Sequence, residues 1–262
     1  MAERYQSSAK KSTKKFEVLG STIVNHRITV FDKNHPTLVD PRIRQAFTHA
    51  IDRQAIVESL WAGRTRVPAG LQWEFYGPMF ISDWTVPAFD LAKAKQLLKE
   101  ANYKGDPIGY QMLNNYYTNQ LQTAQIMTEQ WKAIGLNVQI EMKENWGQIL
   151  GRFPGRGICE NSNSSWFNDP VASLSAYAPG GQTWEAGQWE NEEAAKLIGA
   201  LQSDTDLERR RSTFRKILTI IEREDPCYNV VHQNATFTAK RRDYNWRPAQ
   251  SFVVDFRASN WS

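Results

Sequence analysis

The sequence predicts an α/β fold, in which a mixed β-sheet is flanked by helices. Three observations lead to this prediction. Apolar residues recur at helical spacing in several segments, they alternate as in strands in others, and the two kinds of segment follow one another along the chain. With 262 residues, the chain is long enough for one large domain or two small ones.

Aspartates mark the predicted helix starts. Asp40, Asp52 and Asp90 each precede an apolar stripe with helical spacing, and a proline follows Asp40. An aspartate side chain accepts hydrogen bonds from the free amides of a first turn, and proline fits the first helical position. Later stripes predict helices over residues 121–134, 194–201 and 207–221.

Strands and loops are predicted between these helices. The strands are expected over residues 16–19, 23–31, 110–113, 136–142, 158–166 and 227–239. Gly20 and Ser21 predict a turn between the first two strands. The segments 64–88 and 180–191 lack a period and carry many glycine and aromatic residues, so they are expected to be long, ordered loops.

The predicted strand at residues 158–166 is unusual because it is almost wholly polar after its first two residues. Packing against a core does not explain such a composition. Two interpretations remain open. The segment is either an edge strand that faces water or a strand end that lines a polar cleft.

The composition excludes several classes of protein. A hydrophobic content of 41% and a charged content of 23% are those of an ordinary globular protein rather than a disordered or fibrous one. No apolar run approaches the roughly 18 residues that would span a bilayer. Residues 1–6 have no apolar core, so no signal peptide is expected within the chain.

The charge distribution gives no support for a nucleic-acid partner. The net charge is +4, and residues 1–18 carry five basic side chains against two acidic ones. A solvated basic terminus is the expected state of this segment, since no signature of RNA or DNA binding accompanies it.

Metal and cofactor sites are not expected. The four histidines are scattered, no HExxH or CxxC motif occurs, and no glycine-rich phosphate loop is present. The two cysteines, Cys159 and Cys227, allow two interpretations. They form a disulfide in an oxidising compartment, or they are free buried thiols.

Sequence motifs for catalysis are missing, so an enzyme is the weaker class. No GxSxG motif occurs, and no motif couples a serine or cysteine to a histidine. One rival hypothesis is a hydrolase or transferase that uses Glu160, Asp169 and His232. A second is an interaction module that uses exposed aromatic residues and basic arms.

Aromatic residues in loops point instead to ligand binding. Six of the ten tryptophans lie outside the helical stripes, at positions 73, 84, 146, 166, 184 and 189. Each ring taken alone is expected to pin its loop to the core, but within the group one or two contacts to a ligand are expected.

Several motifs resemble one known family. These are DPRIRQAF at residues 40–47 with AIDR at 50–53, FDLAKAKQLLKEA at 89–101, IGLNV at 134–138, WFNDP at 166–170 and DLERRR at 206–211. In this order and spacing they resemble the bacterial extracellular solute-binding proteins of the peptide, nickel and oligosaccharide type, family 5, which serve ABC importers.

The resemblance covers the C-terminal half of such proteins, which have two lobes that close over a ligand. It implies a periplasmic-binding-protein-like lobe, a mixed sheet flanked by helices that forms the second lobe. It also implies that residues 1–39 are a remnant of the first lobe, residues 40–232 the second lobe and residues 233–262 a segment returning toward the first. The chain is then expected to be a truncated form that binds weakly or not at all by itself.

The resemblance also implies a ligand-binding segment and its residues. In peptide-binding members this segment resembles W-x-x-D-x-x-D-P, and its first aspartate pairs with the peptide amine. Asn163 and Trp166 occupy the first two motif positions here, so the amine anchor is missing. A polyhydroxylated ligand then suits the segment at least as well as a peptide. The ligand-binding residues implied are Trp146, Asn161, Asn163, Ser165, Trp166, Phe167, Asn168 and Asp169.

The family resemblance further implies the setting of the protein. The expected partners are a small-molecule or peptide ligand and the permease subunits of an ABC transporter. Contact with the membrane is expected only through the permease, and the expected location is the periplasm. No nucleic acid, cofactor or catalysis is expected.

Overall fold

The computed structural model describes residues 15–114, 116–248 and 255–261. The basic segment before residue 15 and most of the apolar stretch at 252–256 lie outside the described residues. Within the described part of the chain, no helix is both long and apolar enough to cross a bilayer.

A five-stranded mixed sheet organises the described residues and confirms the predicted α/β class. Its order is β3-β2-β4-β1-β5. Strands β2, β3 and β4 run parallel to one another, whereas β1 lies antiparallel to both β4 and β5. The strands are β1 (Phe16–Phe31), β2 (Ile108–Leu113), β3 (Val138–Lys143), β4 (Ile158–Asn163) and β5 (Tyr228–Arg241).

The predicted turn at Gly20 and Ser21 is wrong, because β1 runs through both residues without a break. Gly20 pairs with Phe237 and Ser21 with Thr236 of β5. A Cβ atom on Gly20 would lie 2.1 Å from the carbonyl oxygen of Thr236. The glycine is therefore needed for close approach to the neighbouring strand rather than for a reversal of the chain.

The six predicted helices are present in the predicted order, and additional short helices lie between them, one of them inside the predicted loop at 180–191. They are α1 (Pro41–His49), α2 (Arg53–Trp61), α3 (Leu91–Glu100), α4 (Gln120–Ala133), α5 (Gly147–Leu150), α6 (Val171–Leu174), α7 (Gln182–Glu185), α8 (Glu192–Ser203) and α9 (Leu207–Thr219). Helix α9 continues as a π-helical turn over Ile220–Glu224. The loop at 64–88 contains a 3₁₀ segment, Glu74–Met79, which the sequence did not predict.

The three predicted aspartate caps are confirmed. The side chain of Asp40 accepts from the amide of Arg42, at the start of a helix whose first residue is proline. Asp52 and Asp90 cap α2 and α3 in the same way. These interactions span two or three residues, which is why the local sequence is enough to predict them.

Two hydrophobic clusters lie on opposite faces of the sheet. On one face, helices α1 to α4 pack against Phe31, Tyr110 and Met112. On the other, the 64–88 loop and helices α8 and α9 pack against Ile28 and Val30. The sheet is thus covered on both sides, as expected of a sheet that contains parallel strands.

Strand β4 lies inside the sheet, between β2 and β1. This position contradicts the edge-strand interpretation of the polar segment. Both cysteines are free and buried, which decides between the two interpretations left open for them. Cys159 lies on β4, and Cys227 lies before β5 in the cluster with Tyr228.

Candidate functional site

A cleft of about 1010 Å³ opens where the carboxyl ends of the parallel strands meet. The segment after β2 contributes Tyr116 and Tyr117, the segment after β3 contributes Trp146, and the segment after β4 contributes Ser164 and Trp166. Because these strands are parallel, the segments that follow them lie at one edge of the sheet. Residues far apart in sequence therefore meet around one cavity.

The cleft lies at a switch point in the chain's path. Helix α4 follows β2 and packs on the face that holds Tyr110. The helices after β4 reach the opposite face, where α8 packs near Ile28. Chain segments that leave adjacent strands toward opposite faces open a crevice between them, and ligands of open α/β sheets bind in such crevices.

The end of β4 is paired on one side only. Its pairing with β1 continues through Asn163, but its pairing with β2 stops at Cys159. Asn161, Ser162 and Asn163 all line the cleft. The polar composition of this segment is explained by that position, since one edge of the strand end faces the cavity.

Aromatic rings form one corner of the cleft. Tyr116 packs edge-on against Trp146, with ring centroids 4.9 Å apart, and against Tyr117, at 4.7 Å. The side chain of Trp166 is 86% exposed at the rim. Such rings offer flat apolar surfaces that stack on sugar rings or aliphatic side chains.

The opposite wall is held by a buried tyrosine of the 64–88 loop. The hydroxyl of Tyr76 donates to Ser165 Oγ at 3.0 Å and contacts Ser173 Oγ at 2.7 Å. Burial raises the pKa of Tyr76 to about 12, so its hydroxyl stays protonated. The loop thus ties the chain after β4 to α6, which carries part of the wall.

Every described side chain that lines the cleft is uncharged. The nearest ion pair lies beneath it, where the buried Arg27 contacts Glu160 and its guanidinium lies 5.0 Å from the ring centroid of Tyr117. Gln120 donates a hydrogen bond to the same carboxylate. The two opposite charges neutralise each other, and the cleft itself presents hydroxyls, amides and rings.

The residues implied by the resemblance fall into two groups. Trp146, Asn161, Asn163 and Trp166 line the cleft together. Four others lie in the same segment without lining it: Ser165, Phe167, Asn168 and Asp169.

Asp169 serves the structure of its own segment. Its carboxylate accepts from the amide of Val171 at 3.0 Å and from the guanidinium of Arg210 at 2.6 Å. Phe167 and Asn168 are exposed. Ser165 donates to the Phe167 carbonyl and holds the turn after β4.

Sequence reasoning missed several lining residues. Tyr116 and Tyr117 follow the predicted strand at 110–113 almost directly, and the rule for carboxyl ends of parallel strands would have found them. Gln182 and Gln202 also line the cleft, but they come from α7 and α8 and carried no local signal.

The residues of the rival catalytic hypothesis are engaged separately. Glu160 pairs with Arg27, and Asp169 pairs with Arg210. His232 is buried, and its Nδ1 lies 3.0 Å from the carbonyl oxygen of Gln233. Among the described residues, no cluster of three or more metal-ligating side chains occurs.

Five of the six tryptophans singled out in the sequence lie in the core or the cleft, and the sixth, Trp184, is half-buried outside both. Trp73, Trp84 and Trp189 are buried in the hydrophobic cluster beside the 64–88 loop. Trp146 and Trp166 line the cavity.

Comparison with known proteins places this site in context. A family model described as "Bacterial extracellular solute-binding proteins, family 5 Middle" matches residues 2–184. The chain is similar to the probable deoxycholate-binding periplasmic protein YgiS of Escherichia coli, with 25% identity over 78% of this chain and 39% of the relative. It is also similar to the glutathione-binding protein GsiB of Salmonella choleraesuis, with 25% identity over 86% of this chain and 46% of the relative.

The fold is similar to that of the ABC transporter substrate-binding protein CtaP from Listeria monocytogenes. The TM-score is 0.78 at 20% identity, over 92% of this chain and 50% of the other. The chain thus spans between 39% and 50% of the length of these three proteins.

Proposed function

The chain belongs to the bacterial extracellular solute-binding proteins of family 5, and on that premise we propose that it binds a small solute for an ABC importer. The observation that carries the proposal is the cleft at the carboxyl ends of β2, β3 and β4, which is lined by hydroxyls, amides and rings. The solute is a peptide, an oligosaccharide or a related compound, uncharged where this lobe contacts it.

The absence of lining charges supports this choice of solute. A free peptide amine needs a carboxylate partner when it is removed from water. Asp169 is committed to Arg210, and Trp166 lines the cleft where the resemblance expects the amine-binding aspartate. Uncharged polar groups and aromatic rings suit hydroxyl, carbonyl and apolar groups of a solute instead.

We propose that this cleft is one wall of a site between two lobes. The rim residues Tyr116 and Trp166 are 57% and 86% exposed, as expected of rings that a second lobe covers on closure. Strands β1 and β5 are the two longest strands, and they continue as a two-stranded ribbon in which residues 16–22 pair with residues 235–241. This ribbon extends beyond the rest of the sheet toward that lobe. Residues 1–39 are then the remnant of the first lobe and residues 233–262 the segment that returns toward it, with residues 26–31 and 228–233 built into the sheet of this lobe.

Within this proposal Trp146, Asn161, Asn163 and Trp166 contact the solute directly. Ser165 and Asp169 hold the wall, and Phe167 and Asn168 reach the solute or the second lobe from the rim. The protein is not a catalyst, and it acts outside the cytoplasmic membrane with the permease subunits as its partners.

The test is a titration of this chain, followed by the NMR signal of the Trp146 indole, against tripeptides, oligosaccharides and amino-acid conjugates. We expect saturable changes with a Kd weaker than about 1 μM, which corresponds to about −8.2 kcal/mol, because only one wall contacts the solute. Trp146→Ala, followed through the indole signal of Trp166 at the same cleft, is expected to abolish binding. Trp261→Ala, at an aromatic residue outside the cleft lining, is the matched control.

Two results would contradict the proposal. If no member of the panel perturbs the Trp146 signal at millimolar concentration, the cleft does not bind solutes of these classes. A Kd below a micromolar would show that this lobe forms a complete site by itself.

A further inference from the structure

Hydrogen bonds beneath the cleft fix the direction of two serine hydroxyls. Asn25 is buried on β1, and its Nδ2 donates to Ser162 Oγ at 3.0 Å and to Ser164 Oγ at 2.8 Å. Its Oδ1 accepts from Nδ2 of Asn234, which is buried on β5. The side-chain amide of Asn25 therefore donates both of its hydrogens to the two serines.

Each serine oxygen already accepts a hydrogen bond, so its own O–H remains to be donated. Ser162 lies against the hydroxyl of Tyr117. For Ser164, which is half-buried and lines the cleft, no acceptor lies within hydrogen-bond distance among the described residues. Its O–H is therefore a donor available to a solute.

A second donor is fixed on the other face of the strand. Oδ1 of Asn161 accepts from the backbone amide of Ser162 at 2.8 Å. This bond sets the orientation of the side-chain amide and leaves Nδ2 without an acceptor among the described residues. Asn161 is half-buried and lines the same cleft.

The two donors are carried by one short, extended piece of chain. Asn161 and Ser164 are three residues apart on extended chain, which places their Cα atoms about 10 Å apart. They lie on opposite faces of the strand end, whose edge toward β2 is unpaired from Asn161 onward. A solute that crosses this edge can meet both donors.

We propose that Asn161 and Ser164 select an uncharged solute that presents an oxygen acceptor to each of these two donors, with Asn25 as the positioning residue. This inference rests on the proposed function and adds to it a preference for solutes that accept hydrogen bonds. Ammonium groups are disfavoured because no described side chain that lines the cleft is a carboxylate. Anions are disfavoured because the nearest cation, Arg27, is already neutralised by Glu160.

The test compares two probes that differ only at one end. N-acetyl-trialanine amide presents carbonyl oxygens and no charge, whereas trialanine amide replaces the acetyl carbonyl with an ammonium group. Both are titrated to about 10 mM into the full chain, since a Kd near 1 mM is measurable by NMR and corresponds to about −4.1 kcal/mol. We expect the acetylated probe to bind at least about tenfold more tightly, a difference of about 1.4 kcal/mol.

Asn161→Asp tests the donor with little change in shape. It replaces Nδ2 with an acceptor oxygen, and we expect it to remove or reverse the tenfold preference. Asn145→Asp is the matched control, because Asn145 is exposed, lies outside the cleft lining and caps a turn through Oδ1, which aspartate retains. We expect this control to leave the preference unchanged.

Two further variants test the serine and its orientation. Ser164→Ala removes one donor and is expected to weaken binding of the acetylated probe by about tenfold. Asn25→Asp makes both serine hydroxyls donate to the new carboxylate, so their oxygens face the cleft as acceptors. A merely structural role for Asn25 would weaken both probes equally, whereas a positioning role shifts the ratio of their Kd values.

The outcomes distinguish a failure of this inference from a failure of the proposed function. If both probes bind with equal affinity, or if Asn161→Asp leaves their ratio unchanged, this inference is overturned while the proposed function stands. If neither peptide probe nor maltotriose binds at about 10 mM, the proposed function fails and this inference fails with it. If maltotriose binds more tightly than the acetylated peptide, with the same loss in Asn161→Asp, the acceptors are sugar hydroxyls.

Discussion

Replacing Glu160 with glutamine is expected to lower the free energy of unfolding by about 3 to 5 kcal/mol. Arg27 is 1% exposed and Glu160 is fully buried, and the two form an ion pair beneath the cleft. Removing the carboxylate's charge leaves a guanidinium buried without a counter-ion, and arginine does not escape by losing its proton. Urea unfolding at neutral pH measures the loss.

Two controls give this expectation its meaning. Glu129→Gln makes the same chemical change in an exposed pair with Lys132 and is expected to cost about 0.5 kcal/mol or less. The double variant Arg27→Met with Glu160→Leu removes both charges and is expected to be more stable than Glu160→Gln alone. A single variant as stable as the wild type would show that the pair does not hold the sheet.

Acidification is expected to destabilise the fold between pH 6.5 and pH 3 because of two buried histidines. Burial, with the nearby charge of Arg66 and the neighbouring His232, lowers the pKa of His26 to about 3. Burial also lowers the pKa of His232 to about 3. The hydrogen bond to the Gln233 carbonyl opposes this shift, whereas the charge of Arg27 adds to it. Between about pH 6.5 and pH 3 the unfolded chain therefore binds more protons than the folded one.

The direction and size of the change in stability with pH follow from that difference in proton binding. Stability falls as the pH falls, by about 2 kcal/mol for each histidine at pH 5 relative to neutral pH. The variant His26→Gln with His232→Gln is expected to flatten this dependence, at some cost in stability at pH 7. Urea unfolding at several pH values gives the slope.

The control for this prediction is a histidine of the same chain in a wetter site. His35→Gln, at a half-buried position, is expected to change the slope less, since burial is only partial there. An unchanged slope in the double variant would assign the acid sensitivity to other groups.

Local interactions made much of the fold predictable. The caps at Asp40, Asp52 and Asp90 involve amides two or three residues away, so the sequence around each aspartate contains both partners. Gly20 was misread because its constraint comes from the backbone of Thr236, far along the chain. No local pattern reports which strand will approach that closely.

The difference between local and long-range contacts also explains which site residues the sequence could predict. The polar run after Cys159 allows an edge strand or a polar cleft, because packing against a core does not account for it. Whether it was an edge strand or a cleft depended on strand order, which is decided by pairing between distant segments. The resemblance implies that Asp169 binds the ligand, and only the fold reveals that Arg210 binds its carboxylate.

Packing in the core and contact with the cleft are separated along strand β4 and Ser164, the residue that follows it. Ile158 and Cys159 are fully buried and provide the packing, whereas Asn161 and Ser164 meet the cavity and carry little of the core. Mutational tolerance should divide in the same way. A library randomised at Asn161 and Ser164 would sample new solute preferences while the scaffold stays intact, so this strand end is a place where specificity can evolve or be engineered without first stabilising the protein.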